Sequence, residues 1–272
     1  MIITAQLMGG IGNQMFQIAA AKGLTMKLKE LYPEDYKSVK CTFDFNKCGE
    51  SGQGNVPNTY KNDFFKNIPN QNIGNLKHKY KENGFSYSEI APTKKWSEGL
   101  EIFGYFQSSK YFHDFKNEIS KLFHFSKERV DRVCDFVNNI GNDNNITSVH
   151  VRRGDYLNNP GYHPTCSVDY YKKSMDIIGD NNTKFIFVSD DIEWCKDNFK
   201  GKNIYYSPFK NELDDLCLLV QSNNHIIANS SFSWWGAYLC PHNNKVIAPR
   251  IWFGPKGPKD VKDIYETNWI VI

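Results

Sequence analysis

The chain has 272 residues, 40% of them apolar and 15% aromatic, which exceeds one average domain, supplies a substantial core and argues against disorder. A net charge of +3 is too mild for a nucleic-acid footprint, so an anionic small molecule is the better partner. Seven cysteines (Cys41, Cys48, Cys134, Cys166, Cys195, Cys217 and Cys240) form an odd count without a C-x-x-C pair, arguing against a disulfide framework and a zinc site.

Residues 1–10 lack the basic stretch of a signal peptide, and no run approaches the roughly 18 apolar residues that span a bilayer, so a soluble cytoplasmic protein is expected. Strand periodicity at Ile2–Leu7 is followed by Gly9-Gly10-Ile11-Gly12-Asn13 and a helix over about 13–30, with Met15, Phe16, Ala19, Ala20 and Leu24 at helical spacing. Met15 stands where a dinucleotide fingerprint needs its third glycine, which speaks against a dinucleotide-dependent oxidoreductase. Asn13 reads as an N-cap, a ligand contact or both.

Residues 31–95 carry little pattern beyond a strand at Val39–Phe45 and aromatic pieces near Phe64 and Phe85. A strand is expected at Ile102–Phe106, then helices at Lys110–Phe123 and Ser126–Asn139, with Gly141-Asn142-Asp143-Asn144 closing a lobe of residues 1–140. Across residues 141–272, strands near Ser148 and at Phe185–Ser189, Ile204–Tyr206, His225–Ala228 and Val246–Ala248 alternate with helices at Val168–Ile178, Ile192–Phe199, Glu212–Gln221 and Phe232–Leu239. That alternation predicts an α/β fold with a parallel, doubly wound sheet.

In such a sheet every strand-to-helix junction lies on one edge, where ligands bind. The first junction is Ile146–Asp155, a β-branched run ending in His-Val-Arg-Arg-Gly-Asp. Alternation puts His150 and Arg152 on one face and Arg153 on the other. Arg152 is therefore a candidate pyrophosphate clamp, while Arg153 pairs inward and holds the loop, with Asp155 a candidate partner. The second junction, Ser189-Asp190-Asp191, fits ligand contact and helix capping equally. The third, Asn229-Ser230-Ser231-Phe232-Ser233-Trp234-Trp235, offers hydroxyls and helix amides to a phosphate and assigns at least one tryptophan to the core. Asp214-Asp215 reads as a solvated helix face. Asn145, Asn181 and Asn229 each begin an N-glycosylation sequon, the last inside the phosphate-binding junction, which again suits a cytosolic chain.

Gly-Gly-Ile-Gly-Asn-Gln-Met-Phe-Gln at 9–17, His-Val-Arg-Arg-Gly-Asp-Tyr at 150–156, Phe-Val-Ser-Asp-Asp at 187–191 and Ile-Ala-Asn-Ser-Ser-Phe-Ser-Trp-Trp-Gly-Ala at 227–237 together resemble the α-1,2-fucosyltransferase family, glycosyltransferase family 11. The resemblance implies a GT-B-like architecture of two nucleotide-fold (Rossmann-like) lobes with parallel sheets. It also implies inverting, metal-independent transfer of fucose from GDP-β-L-fucose to a galactoside 2-hydroxyl, with no cofactor. It carries donor contacts onto Gly10, Gly12, Asn13, His150, Arg152, Asp190, Ser230, Ser231 and Phe232, while the structural roles of Arg153, Trp234 and Trp235 come from strand alternation and core packing. The absence of an Asp-x-Asp motif agrees with metal independence, leaving charge on the departing GDP to Arg152 and helix amides. Asp155 and His150 are the candidates for a general base. A non-catalytic nucleotide-sugar-binding protein, or a transferase using another GDP-sugar, would present the same donor residues.

Overall fold

In the computed structural model, residues 1–48, 54–91, 96, 98–141, 145–242 and 245–272 are described. The chain divides into two units: Met1–His124 with Asp260–Ile264, and Phe125–Lys259 with Tyr265–Ile272.

The first unit contains β1 (Ile2–Ala5), α1 (Ile11–Leu31), α2 (Pro33–Tyr36), β2 (Lys40–Cys41), β3 (His78–Lys81), β4 (Leu100–Phe103) and α3 (Lys116–Ser120). Its four strands pair in parallel in the order β2-β1-β4-β3. Three expectations need correction. The strand at 39–45 shrinks to Lys40–Cys41, beyond which Phe43 makes only an isolated bridge to Asn70. The helix at 110–123 breaks into two 3-10 turns and the short α3, because the chain leaves helical φ at Phe112 and Phe115. Phe112 is thereby buried, with its ring 6.2 Å from that of Phe16. Strand β3 went unpredicted because its lysines alternate outward on an edge strand, leaving no apolar signature.

The second unit contains α4 (Lys127–Ile140), β5 (Ile146–Val151), α5 (Val168–Ile178), β6 (Lys184–Ser189), α6 (Ile192–Asn198), β7 (Ile204–Tyr206), α7 (Glu212–Gln221), β8 (Asn224–Ile226), α8 (Ser231–Leu239), β9 (Val246–Ala248) and β10 (Ile270–Val271). All six strands are parallel in the order β10-β9-β8-β5-β6-β7. Counted from β5, this is the doubly wound nucleotide-fold order, with its switch point between β5 and β8.

Strand alternation builds the two cores of this unit. Val149 and Val151 face Tyr171, Phe187 and Phe199, while Ile146 faces Val133, Ile186, Cys217 and Leu218 on the opposite side. Each such fully buried apolar side chain contributes about 1.5–3 kcal/mol. The amphipathic α4, capped by the Ser126 hydroxyl accepting from the Arg129 amide, lays Val133 in that second core, with Phe136, Val137 and Ile140 packed against it. The boundary between units therefore falls at His124, ahead of α4, and not at residue 140. Of the expected lobe-closing turn, Gly141 caps α4 at φ 142°, while 142–144 lie outside the described residues.

Candidate active site

Arg152 and Arg153 leave β5 in opposite directions. Arg153 Nε donates to Asp191 Oδ2 at 3.0 Å, and its guanidinium lies 4.1 Å from the Trp194 ring centre, on the α6 side. Arg152 Nη1 sits 3.1 Å from Asp190 Oδ2, and its Nη2 sits 2.6 Å from Asp155 Oδ1. Asp155 is thus the partner of Arg152, and Asp191 holds Arg153; the candidate pairing of Arg153 with Asp155 is not what forms. The Arg152–Asp155 contact is an ion pair by distance, but its angles make no hydrogen bond, and both Asp155 oxygens are buried without one. Asp190 braces the same loop twice, since its Oδ1 also accepts from the Arg153 amide at 2.9 Å. Asp191 additionally caps α6, accepting from the Trp194 amide at 3.3 Å.

His150, one residue pair back on the Arg152 face, is 4% exposed with its ring 5.4 Å from Phe232. Burial, and then the Arg152 charge, push its pKa down to about 3. A ring that resists protonation so strongly is a weak base, so its chemistry is hydrogen bonding. Its Nδ1 is buried with no partner among the described residues. Beside it, Ser230 caps α8 by accepting from the Phe232 amide at 3.3 Å, so the helix starts at Ser231 and aims its N-terminus at the switch-point edge. Trp234 and Trp235 are both fully buried, and Trp234 stacks on Tyr238 at 4.7 Å, so both serve the core.

Asn229 ties this junction to two loops. Its Nδ2 donates to the Pro164 and Trp252 carbonyls at 2.9 Å each, its Oδ1 receives the Cys166 thiol at 3.6 Å, and its own carbonyl accepts from the Tyr156 hydroxyl at 2.9 Å. With 1% exposure and its amide fully employed, Asn229 is no glycan acceptor in the folded chain. The Asp214-Asp215 pair is not a solvated face. Asp214 Oδ1 takes Arg129 Nε and Arg132 Nη2 at 2.8 Å each, and Asp215 takes the Ser207 hydroxyl at 2.5 Å. Their place in the first turn of α7 turns both toward neighbouring elements.

In the first unit the glycine loop is stapled by amides that sequence reasoning missed. Helix α1 begins at Ile11 with Gly10 as its N-cap, so Asn13 lies inside the helix and does not cap it. Gly9, at φ 76°, lies against Asn13, and a Cβ there would meet Asn13 Nδ2 at 2.5 Å. Gln14 Nε2 donates to the Gly9 and Asn55 carbonyls at 2.9 and 2.8 Å, and Gln17 Oε1 accepts from the Met8 amide at 2.9 Å. Two glutamines three residues apart on an otherwise apolar helix face were the available signal.

Two parallel-sheet units, one with an arginine, a buried histidine and a helix N-terminus at its switch point, make a GT-B-like fold. The model for Glycosyl transferase family 11 matches residues 61–272, and the chain belongs to that family. Among its relatives are the O-antigen biosynthesis glycosyltransferase WbnK of Escherichia coli, 31% identical over 91% of this chain and 93% of its own length, and an α-1,2-colitosyltransferase of Escherichia coli, 31% identical over 93% and 92%. The galactoside 2-α-L-fucosyltransferase Sec1 of Mus musculus is 30% identical over 50% of this chain and 41% of its own length. The fold is similar to that of NodZ α-1,6-fucosyltransferase soaked with GDP-fucose, with a TM-score of 0.52 and 12% identity over 88% of this chain and 92% of that one. Among the described residues no helix is long and apolar enough to cross a membrane.

Proposed function

We propose that this chain is an inverting α-1,2-fucosyltransferase that moves L-fucose from GDP-β-L-fucose to the 2-hydroxyl of a galactoside without a metal ion. The observation that carries the reading is Arg152 at the switch-point edge, on the same β5 face as the neutral, buried His150, whose ring lies 5.4 Å from that of Phe232 in the first turn of α8. A diphosphate leaving group builds up negative charge as the sugar departs in an oxocarbenium-like transition state. Arg152 and the first amides of α8 meet that charge, with Ser230, Ser231 and Phe232 lining the same turn and the His150 Nδ1 free to bond a ligand oxygen. Gly10, Gly12 and Asn13, the other expected donor contacts, belong to the first unit, at the start of α1. Of the two candidates for the acceptor hydroxyl the role falls to Asp155, because burial pushes the His150 pKa down to about 3 and leaves its ring a weak base.

Transfer of colitose is the second reading, favoured by the α-1,2-colitosyltransferase that is 31% identical over 93% of this chain. Incubation with GDP-fucose and lactose, read by mass spectrometry as one added deoxyhexose, tests the first. Transfer of colitose but not fucose from the matching GDP-sugar supports the second, and binding of both donors without any product reduces the chain to a nucleotide-sugar-binding protein.

A further inference from the structure

The junction after β4, in the first unit, is built around one amide. Strand β4 stops at Phe103, short of the expected Phe106, because Gly104 at φ 158° and Phe106 at φ 52° turn the chain away from the sheet. Among the described residues Phe106 is the one non-glycine at positive φ, and it is fully buried. Such strain persists only where the surroundings over-determine it. Here the surroundings are Glu82, whose Oε2 accepts from the Tyr105 and Phe106 amides at 2.8 and 2.9 Å and whose Oε1 takes the Tyr111 hydroxyl at 3.4 Å.

The residue this device presents is Gln107, 7% exposed. Its Nε2 donates to Asn13 Oδ1 at 2.7 Å in the first turn of α1, while its Oε1 is buried with no partner among the described residues. A buried acceptor without a donor costs free energy until a donor arrives, and strain held at the ligand-binding edge of a parallel sheet marks a working position. The chemistry of the edge narrows the ligand. All five arginines of the chain lie in the other unit, and Lys110, the nearest base in sequence, is spent on Asp263 at 2.6 Å. The side chains meeting here, Asn13 and Gln107, are neutral amides, which suit a neutral polyol better than a phosphate.

We propose that Gln107 is a specificity residue for the acceptor sugar. One acceptor hydroxyl donates to its Oε1, while its Nε2 keeps Asn13 in place. This rests on the transfer reaction proposed above.

The test is steady-state kinetics of wild type, Gln107→Met and Gln107→Asn, with donor and acceptor varied separately and folding checked by thermal melts and GDP titration. Gln107→Met removes the acceptor atom, and Gln107→Asn withdraws it by one methylene while keeping the amide. Both should raise the KM for lactose about tenfold or more and the KM for GDP-fucose by clearly less, the smaller rise coming from the freed Asn13 side chain. Mono-deoxy analogues of the galactose ring supply the second reading: one deoxy position should penalise the wild type and be indifferent to Gln107→Asn. An unchanged acceptor KM in a folded variant, as for an amide that merely holds a buried water, overturns the proposal, as does a donor KM that rises equally. Wild type that transfers to no acceptor overturns the reaction itself, an outcome distinct from normal transfer that ignores residue 107.

Discussion

Arg152 Nη2 stands 2.6 Å from Asp155 Oδ1, so the cation proposed for the diphosphate is already partnered within its own loop. With Asp190 on its other nitrogen, the guanidinium is held between two carboxylates, which fixes its direction and also competes with an incoming anion. Asp155→Asn should therefore tighten GDP binding by about fivefold, on the scale of about 1 kcal/mol for a half-buried pair, while turnover falls if the carboxylate is the base. Isothermal titration decides this, and weaker GDP binding in the variant would show that Asp155 organises the arginine more than it competes for it.

The two adjacent arginines should behave differently on truncation. Arg152→Ala removes the proposed charge-assisted contact to the leaving group and should cost about 3 kcal/mol of transition-state stabilisation, roughly a hundredfold in kcat/KM. Arg153→Ala removes the Asp191 pair and the Trp194 stack, and should cost about 1 kcal/mol of stability with a far smaller kinetic effect. Equal kinetic losses in two equally stable variants would defeat the assignment by strand face.

Asp214 is 7% exposed and carries two guanidinium contacts, one of them from the equally buried Arg129. Asp214→Ala would strip that carboxylate from a buried cation and should destabilise the fold by about 3 kcal/mol, measured by urea unfolding. Replacing the pair with apolar residues, Arg129→Met with Asp214→Leu, should recover most of the loss. A single variant as stable as wild type would show the pair to be no more than incidental.

Asp215 sets a pH dependence. Burial raises its pKa from 3.8 to about 7, with the Ser207 hydroxyl opposing and Asp214 adding to the rise. The folded chain therefore prefers the protonated acid, so its contribution to stability is complete below the unfolded pKa and lost as pH climbs through about 7. Asp215→Asn should be more stable than wild type at pH 8, by at most about 4 kcal/mol, with the advantage shrinking toward pH 4. Melting curves across that range check it, and a constant difference at every pH would refute the shift.

What was readable in the sequence follows from what each signal depends on. The β5 junction and the α8 cap were legible because β-branched runs, alternation and a serine before a helix are local, and the faces of Arg152 and Arg153 follow from strand geometry alone. The partner of Arg153 was not, since Asp191 comes from the next strand-helix turn and only the parallel pairing of β5 with β6 brings it there. Asp214 looked solvated because a charge pair near a helix start has no sequence mark that separates water from Arg129. Strand β3 and the lobe boundary failed for the same reason, as edge lysines and an amphipathic α4 take their meaning from the elements they pack on. Gln107 hid behind a plausible strand ending, because the turn that places it depends on Glu82, many residues earlier.

Strand β5 is buried at every position and pairs with β6 on one side and β8 on the other, so it has no free edge. Its amides should be among the slowest in the chain to exchange with deuterated solvent, opening only when the whole unit unfolds. The loop of Gly154 and Asp155 begins just past the strand and is held by side chains, so it can open at much lower free energy. Arg152 stands at the border between these regimes: ligand binding should slow exchange across 153–157 and leave 147–151 at the ceiling already set by global unfolding.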